Sequence, residues 1–362
     1  MAGDRRLDRQ VALRRRMEEL GLPAFLITHG PNIRYLTGFT GSAGLLLLTS
    51  SRTVLVTDFR YAEQAPAEAA DATEVVVELS NLWERLRRVL EPGPKLRIGF
   101  ERDRLTVRDA DRLMRLDAAD PVPTSDLVEG LRAVKDSGEV DAIRAAADLA
   151  HAALAEVLPS IRTAQTELAI AARLELALRS RGSEWHPFET IVASGPRSAL
   201  PHARATDRAV RAGEWLLLDF GARLSGYCSD ITRTVMVGAK ADDRQRAIYD
   251  VVVRAHRAAQ TGLRPGLSGR EADALARDVI DAAGFGAAFG HSLGHGLGLE
   301  VHEGPRLARS AAEPLPAGAV VTVEPGIYLE GWGGVRLEDD IYLTAAGAEC
   351  LSDGRTELLE LQ

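Results

Sequence analysis

Trp215-Leu216-Leu217-Leu218-Asp219 and, after a short gap, Ser229-Asp230-Ile231-Thr232-Arg233-Thr234-Val235 decide how the second half of this chain folds. Both are strand-like runs, rich in apolar or β-branched residues, and each carries an acid near one end. Leu224-Ser225-Gly226 between them is a turn signal. A hairpin centred between Leu224 and Ser225 sets Asp219 opposite Asp230, with Cβ atoms about 5 Å apart. Two carboxylates that close repel each other unless a positive charge lies between them. A metal ion supplies such a charge.

The pattern recurs near the C-terminus. Val320-Val321-Thr322-Val323-Glu324 is a strand stopped by Pro325-Gly326. Gly331-Trp332-Gly333-Gly334 is a turn, and Val335-Arg336-Leu337-Glu338 opens the next strand. The midpoint of 324 and 338 falls in that turn, so Glu324 and Glu338 also oppose each other. His295 lies in His291-Ser292-Leu293-Gly294-His295-Gly296-Leu297-Gly298, where three glycines disfavour regular helix and admit a ligand close to the backbone. A phosphate cradle is the other use of such a segment, but four nearby carboxylates would repel phosphate. Taken singly, each acid reads as a turn or cap residue and the histidine as structural. Together they match two hard divalent cations, whose charge balances four carboxylates. Oxygen-rich ligation favours Mn²⁺ by ligand type, while Zn²⁺ and Co²⁺ bind intrinsically tighter. A two-metal site points to hydrolytic chemistry.

Composition agrees with a globular protein of two domains: 362 residues, 46% hydrophobic and 27% charged. A net charge of −8 argues against nucleic-acid partners, which need a basic face. Two cysteines, Cys228 and Cys350, form no disulfide framework and suggest a reducing compartment, so a cytoplasmic location is expected. No apolar run is long enough for a membrane helix. Arg5, Arg6, Arg9, Arg14, Arg15 and Arg16 interleave with Leu7, Val11, Leu13, Met17 and Leu20 at near-helical spacing, which predicts a solvated basic helix face.

Before residue 120, strand-like runs begin at Ala24, Leu45, Thr53, Glu74 and Leu96, with helical patterns near Tyr61–Ala70, Leu82–Leu90 and Thr106–Leu116. That is an α/β domain. Pro121-Val122-Pro123 reads as a break, giving domains 1–123 and 124–362. In the second, α+β domain, helices are expected over Leu131–Leu158, Thr166–Arg181, Arg244–Thr261 and Arg270–Ala283. His29, His151, His186 and His256 have no motif context and read as structural.

With these motifs the chain resembles the pita-bread metallopeptidases, in the branch of aminopeptidase P and prolidase. The resemblance rests on Asp219…Asp230, His291-Ser-Leu-Gly-His295…His302, Val-Glu324-Pro-Gly and Gly-Val-Arg336-Leu-Glu338-Asp-Asp. Pro201-His202 stands where this branch places another functional histidine. Asn32-Ile33-Arg34-Tyr35-Leu36-Thr37-Gly38-Phe39 and Thr57-Asp58-Phe59-Arg60-Tyr61 look like its creatinase-like N-terminal domain.

The resemblance implies two metal ions bridged by Asp230 and Glu338, with Asp219 completing one ion and His295 with Glu324 the other. It implies a hydroxide nucleophile, Glu324 as proton relay, and His291 on the substrate carbonyl. His202 and His302 would line a proline pocket, and Thr232 and Arg336 would orient ligands. The substrates would be proline-containing peptides cut at the Xaa-Pro bond, and the protein a homodimer. The segment Gly38-Phe39-Thr40-Gly41-Ser42 and the segment 57–61 look more like aminopeptidase P. Arg306, near a position where some prolidases use an arginine for a dipeptide's carboxylate, speaks for the alternative, a prolidase. Methionine aminopeptidase usually lacks both the N-terminal domain and the His291 counterpart. A non-catalytic scaffold would be expected to lose ligands, and all five are present.

Overall fold

The computed structural model describes residues 5–90 and 95–362. Contacts divide the chain into two compact units, Met1–Arg132 and Ala133–Gln362.

The first unit is built on a six-stranded mixed sheet in the order β4-β3-β2-β1-β5-β6. Its strands are β1 (Ala24–Ile27), β2 (Gly44–Thr49), β3 (Thr53–Asp58), β4 (Glu74–Glu78), β5 (Leu96–Glu101) and β6 (Ala119–Thr124). Five of them lie where the apolar runs predict. The sixth is the Pro121-Val122-Pro123 stretch that reads as a break. Proline cannot donate to a ladder, and β6 is an edge strand paired only with β5, where that defect is tolerated.

Among the described residues, six α-helices accompany this sheet: α1 (Arg6–Glu19), α2 (Gly30–Thr37), α3 (Gln64–Ala69), α4 (Leu82–Leu90), α5 (Val107–Met114) and α6 (Glu129–Arg132). Helix α2 is not among the expected helices, although Pro31 in its first turn and left-handed Gly38 after its end mark both limits. Arg15 is exposed as expected, but four other arginines of α1 are not a solvated face. Arg6 donates to the Thr37 carbonyl at 3.0 Å, Arg9 to Tyr35 at 3.0 Å, Arg14 to Thr49 at 2.8 Å and Arg16 to Leu127 at 2.8 Å. They satisfy main-chain oxygens of the first unit that its helices and loops leave over.

In the second unit, helices α7 (Ser137–Val157) and α8 (Glu167–Ser180) pack on a four-stranded sheet of order β19-β11-β8-β7. These strands are β7 (Ile191–Ser194), β8 (Glu214–Phe220), β11 (Ile231–Val237) and β19 (Glu360–Leu361), and a small ribbon of β9 (Arg223–Leu224) and β10 (Tyr227–Cys228) joins β8 to β11. Helices α9 (Asp243–Gly262) and α10 (Gly269–Ala282) share a core with a five-stranded sheet of order β13-β12-β14-β17-β18. Its strands are β12 (Gly294–Gly296), β13 (Glu303–Leu307), β14 (Val320–Val323), β17 (Asp339–Thr344) and β18 (Gly347–Cys350). A ribbon of β15 (Gly326–Leu329) and β16 (Gly333–Arg336) leaves that sheet between β14 and β17.

The long helix expected over Leu131–Leu158 is interrupted. Asp136 caps α7 by accepting the Glu139 amide at 3.0 Å while the Glu139 carboxylate accepts the Asp136 amide. This reciprocal capping box stops the chain from continuing as one helix. Along β8, Leu216, Leu218 and Phe220 face α7 and α8, which leaves Asp219 on the other face with Leu217.

Candidate metal centre

The first carboxylate pair is set by the hairpin β8–β11, in a register two residues from the expected one. Asp219 pairs with Thr232, not with Asp230. The turn is Ser225-Gly226, both at positive φ (51° and 82°), closing on Leu224↔Tyr227. A two-residue turn of this kind matches the twist of its strands. The change keeps parity, so Asp230 remains on the face of Asp219 as a diagonal neighbour. The second pair stands as expected. Val323 pairs with Asp339 in one ladder and Gly326 with Arg336 in the next, so Glu324 and Glu338 oppose each other where the two ladders meet.

These elements bring the five residues together. Asp219, Asp230 and Glu338 offer oxygens within 4.8 Å of one another, as do the ligand atoms of His295, Glu324 and Glu338 and those of Asp230, His295 and His302. His295 Nε2 lies 3.5 Å from Glu324 and 3.7 Å from Asp230. Its Nδ1 is 3.1 Å from the Gly296 carbonyl, which can only accept. Nδ1 therefore carries the proton and Nε2 presents a lone pair to the carboxylates. Burial holds this imidazole neutral, with its pKa pushed down to about 4.

The acids are held in the opposite sense. Burial, reinforced by Glu338, Asp219 and Glu324, raises the Asp230 pKa well above the usual carboxylate range. Burial and the neighbouring acids likewise raise Glu338, and burial lifts Glu324 to about 8. Asp219 Oδ1 is buried with no hydrogen-bond partner. An orphaned carboxylate oxygen, four crowded acids and one imidazole lone pair fit divalent cations. Positive charge between them would relieve both burial and repulsion.

Around this core, Thr232 donates to Glu338 at 2.6 Å. Arg336 donates to Thr232 Oγ1 at 3.0 Å and to Asp219. Arg336 also reaches the Tyr328 hydroxyl at 2.8 Å, which lies 2.8 Å from His291 Nε2. His291 Nδ1 donates to the Ser292 carbonyl at 2.8 Å, so both ring nitrogens are engaged within the protein. Burial lowers the His291 pKa to about 4. The His302 ring stands edge-on to His295 at 4.2 Å. Burial lowers the His302 pKa, and His202 adds to the effect, which places His202 within electrostatic reach. Arg306 pairs with His295 across β12–β13, so the two side chains share a face. Its guanidinium is exposed.

Sequence reasoning missed three contributors. Tyr328 joins His291 to Arg336. Thr322 donates to Glu324 at 3.2 Å and accepts the His295 amide at 3.1 Å. Asp340 accepts the Asp230 amide at 3.3 Å. Only strand parity pointed to Thr322, two residues before Glu324; Asp340 closes the Glu338-Asp-Asp motif but without an assigned role, and nothing local distinguished Tyr328. Of the histidines read as structural, His256 lies fully buried 3.1 Å from Asp339, and His151 lies 3.4 Å from Asp353.

Residues 141–345 match the profile of metallopeptidase family M24, and residues 9–134 match the creatinase/prolidase N-terminal domain. The chain belongs to metallopeptidase family M24. Among solved structures it is similar to an Xaa-Pro dipeptidase from Bacillus anthracis, with 41% identity, a TM-score of 0.94 and coverage of 98% of this chain and 100% of that one. It is also similar to an X-Pro aminopeptidase from Thermotoga maritima MSB8, with 36% identity, a TM-score of 0.90 and coverage of 97% and 99%. A curated relative, the Xaa-Pro dipeptidase of Pyrococcus horikoshii, is 34% identical over 95% of this chain and 96% of its own length. This M24 protein thus has the creatinase-like N-terminal domain and pita-bread catalytic domain that its motifs imply. The lean toward aminopeptidase P fares less well, because the similarities favour the dipeptidase alternative.

Proposed function

We propose that this M24 protein is a prolidase, hydrolysing Xaa-Pro dipeptides with two divalent metal ions. The observation that carries the reading is the convergence of Asp219, Asp230, His295, Glu324 and Glu338, with His202, His302 and Arg306 beside them. Mn²⁺ suits this oxygen-rich set by ligand type, with Zn²⁺ and Co²⁺ as the alternatives. When bound, the ions supply Lewis-acid polarisation of the scissile carbonyl and activation of water.

The protein's own groups do the rest. Asp219 would help hold one ion and His295 with Glu324 the other, with Asp230 and Glu338 shared between them. Glu324 takes a proton from the attacking water and delivers it to the proline nitrogen, which has no N–H of its own and leaves as a secondary amine. His202 and His302 flank the proline ring. For His291 to stabilise the developing oxyanion, Nε2 would have to take up a proton, with Nδ1 still donating to the Ser292 carbonyl, and exchange Tyr328 for the substrate. Arg306, on the His295 face and exposed, takes the free carboxylate that a dipeptide presents just after proline. That carboxylate separates the two Xaa-Pro activities, and it is where the segments resembling aminopeptidase P and the dipeptidase-named similarities point different ways.

The test is a substrate-length series with Mn²⁺, Zn²⁺ or Co²⁺ added. Xaa-Pro should exceed Xaa-Pro-Yaa in kcat/KM, and Arg306→Ala should raise KM for the dipeptide. A preference for the tripeptide would return the assignment to aminopeptidase P.

A further inference from the structure

The two halves of the metal centre sit on different sheets, and little ladder joins them. Asp219 and Asp230 belong to the hairpin β8–β11. His295, Glu324 and Glu338 belong to β12, to the end of β14 and to the approach to β17. Between β11 and the segment 336–340 there is one isolated bridge, Thr232↔Glu338, with the Glu338 amide donating to Thr232 O at 3.1 Å. Side chains make the rest of this joint. Thr234 Oγ1 donates to the Arg336 carbonyl at 2.9 Å, and the Asp340 carboxylate accepts the Asp230 amide.

Arg233 closes the joint from the opposite face of β11. Its Nη1 donates to the Glu338 carbonyl at 2.6 Å and to the Thr232 carbonyl at 3.0 Å, thus gripping both residues of the single bridge. Its Nη2 donates to Asp339 and Asp353, each at 2.8 Å. Arg233 and Asp339 are buried. Ser352 donates to the same Asp339 oxygen at 2.6 Å, so the acceptor is itself held. A planar guanidinium can meet four acceptors in fixed directions, which an ammonium cannot.

Glu338 is common to the Asp219/Asp230 group and the His295/Glu324 group, and Asp230, which also lies beside His295, is the other carboxylate shared between the two sides. The main chain of Glu338 decides whether its side chain can serve both. We propose that Arg233 is a positioning residue for the metal centre: by clamping the Thr232 and Glu338 carbonyls it fixes Glu338 between the two ligand groups. This rests on the metal-centre reading above. Arg233 touches neither substrate nor ion. Its loss lets the two sheets part at the bridge and separates Glu338 from Asp219 and Asp230.

The test is a Co²⁺ titration of metal-stripped protein by calorimetry, with the visible Co²⁺ absorption recorded alongside. Arg233→Met should weaken binding about 10- to 100-fold, the range for residues that orient ligands from behind, and alter the absorption bands. Arg233→Lys should fall between Arg233→Met and wild type. Asp353→Asn, which removes one counter-charge of Arg233 without touching a ligand carboxylate, should weaken binding less and in the same direction. Should Arg233→Met fail to fold, the other two variants carry the test. Wild-type affinity and spectrum in every variant that folds would overturn the proposal. A wild-type protein that takes up no Co²⁺ would sink the metal-centre reading instead.

Discussion

Glu101 in the first unit and Glu338 in the second are both buried carboxylates, and their surroundings differ in kind. Glu101 accepts the Thr28 amide at 2.7 Å, the His29 amide at 2.9 Å and the Asn32 side-chain amide at 2.7 Å. It is a tie between β5 and the start of α2, complete within the protein. Glu338 receives one hydroxyl, from Thr232, and has Arg336 and His295 nearby, but its closest charged neighbours include three acids, Asp219, Asp230 and Glu324. A buried acid surrounded by donors holds a fold together; a buried acid surrounded by acids needs a cation from outside.

The sharpest attack on this contrast is Glu324→Gln. It keeps the shape of the side chain and removes both a ligand charge and the proton carrier. Turnover of Xaa-Pro should fall by about 10²- to 10⁴-fold, the span for a general acid–base group, measured under saturating metal. Near-wild-type activity would remove Glu324 from the mechanism.

Stripping the metal should make the second unit's acids visible in the pH dependence of stability. In the ion-free protein, Glu324 is raised from 4.5 to about 8. Between those values the folded state keeps a proton that the unfolded state has lost. Stability of the stripped protein should therefore decline as pH rises from about 4.5 to about 8. Divalent ions should restore the loss, because ligands that bind only the folded state stabilise it. Thermal unfolding with and without Mn²⁺ at pH 5 and pH 8 checks this; equal stability losses at both pH values would contradict it.

Glu101→Gln should act on the first unit alone. Losing charge-assisted bonds in a buried site costs about 1–3 kcal/mol, read by chemical denaturation, while Co²⁺ affinity stays that of the wild type. The smallest effect is expected from Arg14→Met on α1. It removes hydrogen bonds to Thr49 O and Thr53 Oγ1 that are worth about 1 kcal/mol each.

The acids could be found in the sequence because strand parity and turn midpoints are local properties. A two-residue error in the first hairpin left Asp219 and Asp230 on one face, since only an odd slip would have parted them. The Glu324–Glu338 opposition survived because a single register runs through both ladders. What could not be read was whatever depends on meeting a distant segment. Tyr328 and Asp340 gain their roles from His291 and Asp230, and the arginines of α1 gain theirs from carbonyls that the folded sheet leaves open. The β6 prolines misled for a related reason: an edge position excuses a missing N–H, and edges are a matter of topology. The choice between dipeptide and longer peptide likewise turns on where one exposed cation, Arg306, meets the substrate.

The α1 arginines have a practical corollary for anyone trimming or tagging this protein. Arg6, Arg9, Arg14 and Arg16 plug main-chain oxygens at separate points of the first unit. A truncation that starts beyond Arg16 would strip those plugs together and leave their carbonyl partners to water. Fusion partners belong before Arg5, and surface-charge engineering aimed at the basic N-terminus would loosen the domain rather than decorate it.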